Sequence, residues 1–138
     1  MRPITVTWDG GVRFTADIRG HKLTVDQPTK AGGEDSAPMP VELLPASLGT
    51  CVALYVQQFL ATRGLDPTGM TVVVTAAGAP RPNRLARFAL EVKIPGGVPE
   101  KYRDAVQRTA EGCTVHHTLT HTPQIAVTIM EGSAAATG

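Results

Sequence analysis

The run VELLPASLGTCVALYVQQFLATRG, from Val41 to Gly64, decides most of what this chain can fold into. Between Leu43 and Val56 its apolar residues fall on nearly every side of a helix. A helix with one apolar stripe rests on a core, whereas one that is apolar all round has to be enclosed. Pro40 suits a first helical position, Asp35 or Ser36 is placed to cap it, and Gly64 is a natural stop. Pro45 has no amide to donate to the preceding turn, so a kink or a later start is expected there. The 138 residues suit one domain over residues 1–138. The short strands of such a domain cover one side of the helix, and a partner chain is expected to cover the rest.

The segments around the helix read as strands. In ITVTW, Ile4, Val6 and Trp8 share a face. In VRFTADI, Val12, Phe14, Ala16 and Ile18 share one, with Arg13, Thr15 and Asp17 opposite. DGG between them signals a hairpin, and KLTVDQ adds a third strand. QPTKAGGEDSAPMP is a Gly- and Pro-rich loop. MTVVVTAAGAP and RLARFALEVKIP are two more strands, and VPEKYRDAVQRTAEG is an amphipathic helix ending at Gly112. TVHHTLTH reads as a further short helix, QIAVTIM as a closing strand, and residues 132–138 as a frayed tail. The order βββ-α-ββ-α-β, dominated by hairpins, predicts an α+β fold with antiparallel sheet.

Hydrophobic residues make up 42% and charged residues 18%, which supports a packed core. The net charge of +1, with scattered basic residues, leaves no footprint for nucleic acid or an anionic membrane. No apolar run is read as reaching the roughly 18 residues of a membrane span. MRPITVTWDGG has no apolar core of a signal peptide, so a cytoplasmic location is expected. AGGED is not followed by a helix carrying Lys and Ser or Thr, and no G-x-S-x-G occurs, so no cofactor is expected.

In the cytoplasm the two cysteines are either inert core thiols or reactive ones. Cys51 lies inside the apolar run. Burial raises a thiol's pKa, so a reactive Cys51 needs a nearby cation, for which Arg13, Arg19 and Lys30 are the upstream candidates. A buried cation needs a carboxylate in turn, and Glu42 stands in the first turn of the helix, where an acid is also favoured by about 0.3–1 kcal/mol through the helix dipole alone. Cys113 follows Gly112 and stands beside Thr114 and His116. It is either a core thiol or, with His116, His117 and His121, one end of a C-x2-H-H-x3-H set that resembles zinc ligation loosely and lacks a second sulfur pair. His21 sits alone at a strand turn and reads as exposed.

GGEDSAPMPVELLPASLGTC resembles the loop and helix leading to the first cysteine of the OsmC/Ohr family of thiol-dependent hydroperoxide reductases. AEGCTVHHTL resembles that family's second cysteine segment. The resemblance implies an intertwined homodimer around a long helix from each subunit. It implies that Cys51 is the peroxidatic thiol, that Cys113 resolves its sulfenic acid to a disulfide, and that a dithiol or a lipoylated protein reduces the bond. It also implies an arginine, here Arg13, held by a glutamate near the helix start, here Glu42. The family's Pro-Glu-x-Leu pattern would put its carboxylate at position 41, where this chain has Val41. Glu42 is displaced by about 100° around the helix. Metal and cofactor are not implied. The other reading is a non-enzymatic member that binds a small apolar ligand at the dimer interface.

Overall fold

The computed structural model describes residues 1–132. Strands β1 (Thr5–Gly10), β2 (Arg13–Ile18) and β3 (His21–Val25) form an antiparallel sheet in the order β1-β2-β3. The β1–β2 turn uses Gly10 at φ +106° and Gly11 at φ +56°, a region that favours glycine. Trp8 pairs with Phe14 and Val6 with Ala16, while Phe14 also pairs with Val25 and Ala16 with Leu23. The register therefore gathers the apolar side chains on one face, as the alternation predicted. That face is only thinly covered: Val6 is 60% and Trp8 65% exposed.

A loop built around Asp26 joins this sheet to the helix. The Asp26 carboxylate is buried and accepts hydrogen bonds from the amides of Gln27, Glu34 and Ser36 and from the Ser36 hydroxyl at 2.6 Å. Gly33 is required there, because a Cβ would stand 1.9 Å from the Gln27 carbonyl oxygen. Ser36 thus serves the loop and is not the helix cap; the cap position belongs to Met39.

Helix α1 spans Pro40–Thr62 and runs through Pro45 without interruption. Its start is held by the Glu42 carboxylate, which accepts from the Met39 amide at 2.9 Å. It ends in a left-handed Gly64 at φ +67°, with the Gly64 amide donating to Ala61 and the Leu65 amide to Leu60. This is the paired termination expected of a glycine just past a helix.

Strands β4 (Thr71–Ala79) and β5 (Arg84–Lys93) form a separate antiparallel hairpin. Leu48, Val52, Val56 and Leu60, four residues apart along α1, bury themselves with Cys113 against Phe88, Leu90, Val92 and Ile94. Gly49 lets α1 approach β4, since a Cβ would lie 2.7 Å from Val74. The amphipathic segment forms a 3-10 turn, Glu100–Tyr102, and then α2 (Arg103–Glu111). Helix α3 covers Thr114–Thr120. Among the described residues the fold is α+β with antiparallel sheets and three α-helices.

Two further expectations are modified, and a third falls outside the described residues. Residues 124–130 enter no sheet within the single chain, and Ile125, Val127 and Ile129 are each at least 80% exposed. Their alternation is that of a strand, but they pair with no sheet edge of the same chain. Helix α1 is long and apolar enough to cross a membrane by length and composition. Its buried stripe makes it the spine of the core instead. The expected frayed tail falls almost wholly outside the described residues.

Candidate functional site: two facing thiols

Cys51 occupies the fourth turn of α1, at the border between its buried stripe and an uncovered apolar strip that includes Leu44 and Leu54. It is half-buried. Cys113 has no exposed surface and follows Gly112, where α2 ends. Its backbone is extended, and its Sγ accepts from the His116 amide at 3.3 Å. The thiol thus takes the position at the start of α3 that a serine or threonine hydroxyl commonly fills. A hydrogen bond of 2.9 Å between Tyr55 Oη and Thr114 Oγ1 ties the two helices together one turn beyond Cys51.

The result is that two cysteines remote in sequence become neighbours, both as free thiols. Burial pushes the Cys113 thiol above its ordinary pKa; the His116 amide works against this and the adjacent Cys51 sulfur adds to it. A half-exposed sulfur facing a buried, protonated one is an arrangement in which the first meets a reagent and the second meets only the first.

The expected activating pair is not assembled at Cys51 within one chain. The Glu42 carboxylate holds the Met39 amide. Arg13 lies 3.6 Å from Glu34, with both side chains well exposed. Its sheet makes no extensive packing with α1, which rests on β4, β5, α2 and α3. Arg19 sits in the β2–β3 turn and Lys30 in the 3-10 turn Thr29–Ala31. Among the described residues neither makes a hydrogen bond or ion pair with α1. His21, read as exposed, is exposed at the start of β3.

The histidines do not form a metal centre among the described residues. The rings of His116 and His117 meet edge to face at 6.1 Å, and His121 Nδ1 lies 3.0 Å from the His117 carbonyl oxygen. Tyr55 and Thr114 are the site residues that sequence reasoning missed. The available signal was their position: Tyr55 is one helical turn after Cys51, and Thr114 is next to Cys113.

The sequence profile of the OsmC-like protein family matches residues 33–128. No curated protein matches the chain. Among solved structures, it is similar to a Psychrobacter arcticus protein assigned to the osmotic stress and detoxification response, at TM-score 0.77 and 24% identity over 86% of this chain and 88% of that one. It is similar to an organic hydroperoxide resistance protein of Legionella pneumophila, at TM-score 0.62 and 18% identity over 86% and 90%. A third is an organic hydroperoxide resistance protein of Elizabethkingia anophelis, at TM-score 0.59 and 20% identity over 88% and 91%. At these identities the structural likeness speaks for the fold.

Proposed function

Because the chain belongs to the OsmC-like protein family, we propose that it is a thiol-dependent peroxidase that reduces organic hydroperoxides. The observation that carries this reading is the facing pair of free thiols with unequal exposure. The Cys51 thiolate attacks one peroxide oxygen, the O–O bond breaks, and the alcohol leaves after taking a proton. Cys51 is left as sulfenic acid. The Cys113 sulfur then displaces that hydroxyl as water and forms the Cys51–Cys113 disulfide. A dithiol, free or on a lipoylated protein, returns both to thiols by exchange. A cytoplasmic setting suits a bond that must be reopened.

The uncovered strip beside Cys51, with Leu44 and Leu54, favours peroxides with an apolar body and favours a homodimer. Arg13, with Glu42 orienting it, remains the proposed cation. Because its sheet makes no extensive packing with the α1 of its own chain, the proposal has Arg13 delivered to Cys51 by a second copy. The test is stopped-flow consumption of an organic hydroperoxide with a dithiol reductant. Wild type is expected to consume peroxide and Cys51→Ser is not. Equal traces would remove the enzyme reading. In that outcome the binding of a small apolar ligand at the dimer interface takes its place, a reading favoured by the engagement of Arg13 and Glu42 with other groups.

A further inference from the structure

A second cavity adjoins the core cluster that holds Cys113, whose Sγ accepts from the amide of the lining residue His116. A cavity of about 380 Å³ opens between α1, β5, α2 and α3, and neither cysteine lines it. Its walls are apolar, formed by Val52 and Val56 of α1 and by Leu90, Val92 and Ile94 of β5 and its end. The size falls at the lower end of the roughly 300–1,000 Å³ of small-molecule pockets and exceeds the roughly 150 Å³ that admits benzene.

Three of its polar groups share one margin. Arg103, Gln107 and Glu111 are each four residues apart on α2, so they form one stripe along the rim. The Gln107 amide donates to the Glu111 carboxylate at 2.6 Å, which occupies that acid. Arg103 has no ion-pair partner among the described residues. His116 contributes the remaining polar group. Its Nδ1 is buried and has no hydrogen-bond partner, a condition that costs free energy unless something supplies one. Apolar walls, one free guanidinium and one orphaned imidazole nitrogen match a ligand with an aliphatic body and a single anionic head.

We propose that this cavity binds a medium-chain carboxylate, its chain against Val52, Val56, Leu90 and Val92 and its head at Arg103, with His116 as a second polar contact. The volume suits a chain of about eight carbons. Guanidinium recognises carboxylate with paired, charge-assisted hydrogen bonds, which a neutral alcohol of the same length cannot match. The site stands on its own residues and is independent of the peroxidase reading.

Octanoate is the probe, followed by methyl NMR on the full-length, isotope-labelled protein. Saturable shifts are expected at the methyls of Val52, Val56, Leu90 and Val92. Arg103 is exposed at the rim, so Arg103→Gln should fold normally and weaken octanoate by about tenfold or more, with partial recovery in Arg103→Lys. Octanol should bind wild type more weakly by a similar factor. Cys51→Ser should bind octanoate as wild type does, even if no variant consumes peroxide. Absence of saturable shifts up to about 10 mM octanoate would overturn the proposal, as would octanol binding as tightly as octanoate. So would shifts confined to Leu44 and Leu54, which would put the ligand on the uncovered strip of α1.

Discussion

Asp26 shows how one side chain sets the path into the helix that carries Cys51. The Ser36 hydroxyl, followed by the loop amides, holds its carboxyl well below the usual carboxylate range near 3.8. A carboxyl depressed on folding stabilises the protein above its ordinary pKa and loses that contribution as pH falls below it. Thermal melts from neutral pH down to about pH 3 should therefore show wild type losing stability below pH 4, with Asp26→Asn less stable at neutral pH and flatter across that window. At the thiols, Cys51→Ser should abolish turnover. Cys113→Ser should stop after one turnover with sulfenic acid at Cys51, seen by mass spectrometry of dimedone-trapped samples. Because burial raises the Cys113 pKa, disulfide closure after a peroxide pulse should speed up as pH rises toward and beyond 9.0. A closure rate that falls with pH over that range would mean Cys113 is not the attacking group.

At the scale of elements, α1 is both the spine and the carrier of Cys51. Gly49→Leu should force α1 off Val74 and cost about 1–3 kcal/mol in denaturant melts. Leu60→Ala, at a fully buried position, should cost about 2–5 kcal/mol. Glu42→Ala separates two roles. Loss of the cap alone lowers stability by about 0.5–2 kcal/mol and leaves the peroxide rate alone, whereas an orienting role slows the rate as well.

Elements whose pattern is local were legible in the sequence. The β1–β2 hairpin follows from alternation around DGG, and the end of α1 follows from Gly64. The Ser36 role was not legible, because its partner Asp26 lies ten residues upstream across an irregular loop. Helix α3 was faint because TVHHTLT has little apolar period and is capped by a thiol. The closing strand was misplaced in the single chain because pairing depends on an edge that alternation cannot supply. The cysteine pair is 62 residues apart in sequence, and only the packing of α1 against the start of α3 makes the two thiols neighbours.

At the scale of the whole molecule, three apolar surfaces lie open at once: the Val6–Trp8 face of the N-terminal sheet, the Leu44–Leu54 strip of α1, and Ile125–Ile129. Exposed apolar area on this scale marks an interaction surface. Light scattering at micromolar concentration should give about twice the 14.5 kDa chain mass. A mass of one chain would refute the dimer and, with it, delivery of Arg13 by a second copy. The bare faces have a further consequence. If two copies complete one core, folding and association are a single event, and mass action governs both. The unfolding midpoint then rises with protein concentration. On that reading, dilution would take the fold apart, and a cell would hold this protein folded only while it keeps enough of it for its copies to find each other.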